Sequence, residues 1–388
     1  LYDGFRPTSE EIIMAIKKRG KRVLWTTLIV FASIIAFVAV LGKGSFSFAG
    51  YQADDKDYSD IIQQGVGVNN PRVVDVAMLG AHDAFSSNIS TKSEIDPGED
   101  EGSMIRNSTV GIFANGLFVR LLKAQLGSAA LMLENGVRYF DVRLSNIDGE
   151  WYTKHALVSD KLSVYLTDII PFLDQNPGEF IIFDMQHVYL GDATYDDLFA
   201  YLGSFSVGGH SLLDFVNFEP IAIPLGELRY KQVTADGTKA GAVILARPPV
   251  SVTNHYHYER GEGQNGEFTS IRSIWHNSSD SKTMLDGIRE EAAILATETT
   301  YNDMFRVNQA QKTGVISGSD IVDTLIGWSL IDLASNFNVT LIEQEDFPDW
   351  LEVMPVFMVD FAISNRGQFN ANANDAMIAF NQSLPLSD

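Results

Sequence analysis

Two histidines, one arginine and a set of carboxylates stand in this chain where they could move protons around a phosphate. The apolar run Val73–Leu79 ends in Gly80-Ala81-His82-Asp83, where the glycine permits a tight exit and His82 is an acid–base group near neutral pH. The run 136–143 carries Asp141 and Arg143 on either side of Val142, and on a strand that spacing puts both side chains on one face. A turn signal at Asp148-Gly149 returns the chain through Trp151–Leu157 and brings up His155. The last apolar run, Pro355–Phe361, contains Asp360 near its end. With no cysteine in 388 residues, thiol nucleophiles, disulfides and Cys-ligated metal centres are excluded. The set suits phosphoryl transfer, with one histidine as base, the other as acid, and a guanidinium donating paired bonds to the phosphorane oxygens. Structural roles stay open for the same residues: His82, Asp83 and Asp360 as strand-end caps, and Arg143 with Asp141 as a buried ion pair.

Such residues act together only if the fold brings strand ends together. Short apolar runs at 73–79, 137–144, 180–184, 242–246, 271–275, 304–309 and 355–361 alternate with helix-like segments at 121–135, 161–175, 195–202, 282–297, 320–342 and 374–382. That alternation predicts an α/β fold with a parallel sheet, and seven strands suit a barrel whose active residues lie at the C-terminal strand ends. No G-x-G-x-x-G follows the first strand, which argues against a dinucleotide site. Ser93–Ser103 packs five carboxylates around Pro97-Gly98, a composition expected of a solvated loop and without EF-hand spacing. Trp275, Tyr256 and Tyr258 are candidates for a rim facing a lipid or its headgroup, or for core packing.

At the chemistry-bearing residues the sequence resembles the phosphatidylinositol-specific phospholipase C X-domain family. The matching segments are Leu79-Gly80-Ala81-His82-Asp83-Ala84, the stretch from Glu134 to Arg143, Lys154-His155, and the stretch from Asn176 to Asp184. Weaker matches lie at Val243–Arg247, Ile274–Asn277 and Phe357–Phe361. The resemblance implies a distorted TIM-type (β/α) barrel and attack by an inositol hydroxyl on the adjacent phosphorus of a phospholipid or related phosphodiester. It implies His82 as general base oriented by Asp360, His155 as the acid that protonates the departing oxygen, and Arg143 as the phosphate clamp held by Asp83. Arg247 falls at a substrate-contacting position, and Asp141 and Asp184 are inward supports. Calcium-dependent relatives carry an acidic ligand where this chain has Arg143, so the resemblance implies no metal and no cofactor. Two departures stand out: Asp184-Met185-Gln186-His187 replaces a basic residue of bacterial relatives, and the domain's acidity opposes approach to an anionic lipid; Ala156 also stands where the family often has glycine. The alternatives are a glycerophosphodiesterase or cyclising phospholipase of the same barrel type with Asp141 helping to bind magnesium, and an inactive headgroup-binding module.

The 28 Lys and Arg against 50 Asp and Glu give a net charge of −22, which excludes a nucleic-acid partner held by phosphate contacts. The basic residues concentrate in 1–22, directly before Val23–Leu41, a run of 19 residues without a charge. At about 1.5 Å per residue such a helix nearly spans a bilayer core, a length that favours a membrane anchor over the alternatives of a cleaved signal peptide and a buried core helix. The expected organisation is therefore a basic cytoplasmic segment at 1–22, a membrane span at 23–41, a stalk at 42–70 and the barrel at 71–388 in the lumen or outside the cell. Sequons at Asn88, Asn107, Asn277, Asn338 and Asn381 agree with that side of the membrane.

Overall fold

The computed structural model describes residues 53, 55–98, 115–237, 240–248, 250–254, 256–261, 268–313 and 329–386. The proposed span 23–41, Asn107 and most of the acidic run at 99–103 lie outside these residues. Among the described residues no helix is long and apolar enough to cross a membrane.

The strands are β1 (Met78–Ala81), β2 (Val137–Ile147), β3 (Glu150–His155), β4 (Leu157–Lys161), β5 (Phe180–Tyr189), β6 (Ser206–Val207), β7 (His210–Ser211), β8 (Ala242–Arg247), β9 (His257–Glu259), β10 (Ile271–Ile274), β11 (Phe305–Gln309) and β12 (Val356–Val359). Eight of them run parallel in the order β10-β11-β12-β1-β2-β5-β8-β9, while β3 and β4 form an antiparallel flap on β2. The sheet curls as expected for a distorted barrel, but its edges are not joined by a ladder among the described residues. Strand β9 meets β10 through single bonds, such as Ile271 N–H to the Arg260 carbonyl at 3.4 Å.

Period-two alternation divides the strands between two cores. Met78, Tyr139, Ile182, Ile244, Ala246, Val356 and Met358 fill the barrel interior, whereas Leu79, Phe140, Val142, Phe183, Leu245 and Val359 pack outward against the helices. Extending the inward parity by one step past the apolar layer gives Asp141, Asp184 and Asp360. The hydrophobic pattern thus decides which polar residues reach the mouth.

The helical segment anticipated at 121–135 is two helices, Asn115–Leu122 and Ala129–Glu134. Gly127 at φ 74° breaks it, and Ser128 caps the second piece by accepting from Leu131 N–H at 3.2 Å. The C-terminal helix, Phe369–Ser383, turns Asn370, Asn374 and Asn381 inward. Asn374 lies where a β-carbon on Gly136, itself at φ 84°, would come within 2.6 Å, so only glycine fits there.

The boundary expected at Pro71 is too late. The stretch read as a stalk contributes Tyr58 and the helix Ile61–Val66, burying Tyr58, Ile61, Ile62, Gly65 and Val66. Its anchor is the fully buried Arg138–Glu179 pair at 2.7 Å. Arg138 also donates to the carbonyls of Leu133, Val137, Tyr58 and Ser59, and Glu179 accepts from the Ile62 and Gln63 amides. Tyr58, Ile61, Ile62 and Val66 also join the apolar cluster of the barrel interior, so the segment docks through both an ion pair and an apolar face that its polar neighbours conceal in the sequence. Two sequons are likewise structural. Asn338 is buried and donates to the Asp360 carbonyl, and Asn381 is buried and bonds both backbone groups of Ala77. Neither amide can carry a glycan in this fold, whereas Asn88 and Asn277 are exposed.

Candidate active site

The C-terminal ends of β12 and β1, the middle of β2 and the β3–β4 flap bring His82, Asp83, Asp141, Arg143, His155 and Asp360 into one cluster. His82 Nδ1 lies 2.7 Å from Asp360 Oδ1. His155 Nδ1 lies 2.7 Å from the Leu122 carbonyl, which can only accept, so Nδ1 carries the proton. Both rings then present Nε2 to the same atom, Asp83 Oδ2, at 3.3 Å from His82 and 3.2 Å from His155. Arg143 completes the set. Its Nε is 2.5 Å from Asp83 Oδ1 and its Nη2 is 3.1 Å from His82 Nε2.

Local structure explains this convergence. Asp83, at φ 44°, bends the chain immediately after β1, which lets its amide donate to Asp141 Oδ2 at 3.1 Å while its carboxylate returns over the barrel. Ala156 at φ 54° and Phe361 at φ 52° make the same left-handed bend after His155 and Asp360. Ala156 adopts that bend against its steric preference. The break at Gly127 also serves the site, because the end of the preceding helix leaves the Leu122 carbonyl free to hold His155.

Charge is layered. The side chains of Arg143, His82 and His155 retain 12%, 14% and 16% exposure, while Asp83, Asp141 and Asp360 behind them retain at most 1%. A ligand at the mouth therefore meets cations first. Burial pulls the His82 pKa down, but Asp83 and Asp360 outweigh it and raise it to about 9. Its Nε2 faces partners of opposite demand, since Arg143 offers a proton and Asp83 accepts one. Burial pushes the Asp141 carboxyl up, yet Arg143 and His82 hold it below the usual carboxylate range. Asp360 is raised, because burial exceeds the compensation from His82.

The expected substrate contacts separate. Asp184 is the register partner of Asp141 and accepts from Tyr139 Oη at 2.5 Å and Arg260 Nε at 2.8 Å. Burial raises its pKa against the pull of Arg260. Arg247 does not reach this interior. It has the outward parity of Leu245 and lies over the Tyr195 ring, 5.9 Å from its centroid, with Glu259 at 3.5 Å. The inward arginine is Arg260, directly after β9, a short strand that the apolar pattern does not reveal. Trp275 is 40% exposed beyond β10, three strands from β1, and donates to Thr313 Oγ1 at 2.8 Å.

Two supports had no signal in spacing. Gln125, fully buried, donates to the carbonyls of His82 and Val359 and accepts from Ala362 N–H. Gln186 sits in a bulge of β5 opposite the Val142–Arg143 bond and accepts from Arg143 Nη2 at 3.3 Å.

His82, Asp83 and Asp141 also offer ligand atoms within 4.8 Å of one another, a spacing at which a metal ion could bind. The donor set does not fit a divalent cation, because Arg143 Nη2 already lies 3.1 Å from His82 Nε2 and 3.5 Å from Asp141 Oδ2. Its fixed charge would repel a cation at that point.

No family model matches the chain. Mouse PI-PLC X domain-containing protein 3 is 30% identical over 152 residues, 38% of this chain and 44% of that protein. The variant-surface-glycoprotein phospholipase C of Trypanosoma cruzi is 31% identical over 128 residues, 31% of this chain and 34% of that protein. The chain thus matches less than half the length of these curated relatives. In three dimensions it is similar to a phosphatidylinositol-specific phospholipase C of Staphylococcus aureus, solved as the F249X mutant. The TM-score is 0.56 at 13% identity, covering 84% of this chain and 99% of that one. At that identity the likeness concerns the fold.

Proposed function

We propose that this chain, related in sequence to the phosphatidylinositol-specific phospholipase C X-domain family, is a phosphoric diester hydrolase of phospholipase C type. The observation that carries the reading is the meeting of two imidazole Nε2 atoms at one Asp83 oxygen, with a guanidinium 3.1 Å from the first.

In this reading neutral His82 takes the proton from a headgroup hydroxyl through Nε2, and Asp360 stabilises the resulting imidazolium. The hydroxyl oxygen attacks phosphorus and closes a cyclic phosphodiester. His155 gives its Nε2 proton to the lipid alkoxide as the P–O bond breaks. Arg143 stabilises the charge on the non-bridging oxygens, and Asp83 holds both Arg143 and the acid. Arg260, Asp184 and Tyr139 form the polar wall available to a hydroxylated headgroup. The run at 23–41 would tether the barrel to a membrane, with the basic segment 1–22 on the cytoplasmic side and the barrel on the other.

The test is turnover on phosphatidylinositol in detergent micelles and on glycerophosphodiesters, by wild type and His82→Ala, with and without EDTA. Expected are loss of activity in His82→Ala by at least a thousandfold and no effect of chelator. Equal activity of the two proteins removes His82 from the reaction. Chelator-sensitive turnover restored by magnesium or calcium supports the metal-dependent alternative involving Asp141. Headgroup binding without turnover supports a binding module.

A further inference from the structure

The start of the acidic insertion is docked on the flap and buries Asp96 and Gly98, while Glu94 and Pro97 stay exposed. Residues 94–96 lie antiparallel along the β3–β4 flap: Val158 N–H donates to the Glu94 carbonyl at 2.8 Å, Asp96 N–H donates to the Ala156 carbonyl at 2.9 Å, and Ile95 pairs with Leu157. The Asp96 side chain is fully buried. One carboxylate oxygen takes the Ser145 hydroxyl of β2, and the other takes Lys154 Nζ of β3 at 2.9 Å. Gly98 closes over the pair, and a β-carbon there would come within 2.6 Å of the Asp96 carboxylate and 3.2 Å of Lys154 Nζ.

We infer that Asp96 is a positioning residue for His155, acting through Lys154 and the flap turn. Lys154 immediately precedes His155, and strand alternation sends the two side chains to opposite faces. Asp96 grips β3 from behind while His155 projects in front. The Asp96 backbone N–H also donates to the Ala156 carbonyl, at the left-handed bend after β3. The flap is antiparallel and, among the described residues, attached to the sheet along β2 alone, so its angle sets the reach of His155 Nε2 to Asp83. A displacement of about 1 Å in an acid can cost on the order of a hundredfold in rate. This inference rests on reading His155 as the acid.

The experiment compares the full chain with Asp96→Asn and with the double variant Asp96→Asn/Lys154→Met, which removes both charges of the Asp96–Lys154 pair. Turnover of phosphatidylinositol micelles, the thermal midpoint and the imidazole 15N–1H correlation of His155 are measured for each. Positioning predicts that kcat falls at least tenfold in both variants with KM within twofold. It also predicts that the His155 correlation moves in both and that the double variant recovers the midpoint lost by the single one. A double variant with wild-type kcat, or a His155 correlation unmoved in both, overturns the inference. A wild-type chain inert on every phosphodiester overturns the enzymatic reading instead, and the His155 correlation still decides whether Asp96 sets that side chain.

Discussion

Replacing Asp360 by Asn tests the base side of the mechanism with the least disturbance. The Asn carbonyl can still accept from His82 Nδ1, so the tautomer is kept and only the charge is removed. The Nδ1 to Oδ1 distance of 2.7 Å marks a charge-assisted bond worth roughly 1.5–3 kcal/mol. At about 1.4 kcal/mol per pKa unit, its loss lowers the His82 pKa by about 1–2 from the value of about 9. The ascending limb of kcat/KM against pH should move by that amount toward acid. The plateau should fall roughly ten- to a hundredfold, because the imidazolium formed during attack loses its partner.

Stability follows by linkage. His82 is raised from 6.5 to about 9, so its contribution is fully present below pH 6.5 and is lost as pH rises through 9. The amount lost is on the order of 3 kcal/mol, and the Asn variant loses less over a narrower window. The Asn NH2 occupies the place of Asp360 Oδ2, which is buried without a hydrogen-bond partner among the described residues, at a cost of about 1–3 kcal/mol. A pH–rate profile from 5.5 to 10 and an NMR titration of the His82 ring read both effects. An unmoved limb and an unchanged His82 titration would refute the role given to Asp360.

Three further outcomes follow from the same geometry. Arg138→Met strands Glu179 in the core and frees the 58–66 segment, so the denaturant midpoint should report a loss of about 3–5 kcal/mol; a loss under 1 kcal/mol would mean that the pair does not anchor that segment. Ala156→Gly relieves the bend at φ 54°, worth about 1–2 kcal/mol, against about 0.4–1 kcal/mol of added unfolded-state entropy. A gain of about 0.5–1 kcal/mol in chemical denaturation is expected, and a loss would contradict it. For the headgroup wall, Arg260→Met should raise KM tenfold or more and Arg247→Met should change it less than twofold. The reverse order in initial-rate measurements would return the contact to Arg247.

Much of the site is legible in the sequence because it is local. Gly80-Ala81-His82-Asp83, the alternation Asp141-Val142-Arg143, the Asp148-Gly149 turn before His155, and Asp360 after an apolar run each combine a strand end with a polar residue of fixed parity. Alternation along a strand follows from backbone geometry alone, so the sequence by itself determined which faces these residues occupy and how the parallel strands are spaced. Only the tertiary structure decided which strands are neighbours, and therefore which charges meet. It put Asp83 between two imidazoles, joined Asp184 to Arg260 and Tyr139, and turned Arg247 outward. It buried Asp96 against Lys154 and the 58–66 segment against Arg138, although acidic and polar compositions read as solvent-facing. The physical reason is that solvation preference is a property of a single residue, whereas the compensation that lets a charge be buried belongs to a pair. The partners in these pairs stand tens of residues apart, so no window of sequence contains both.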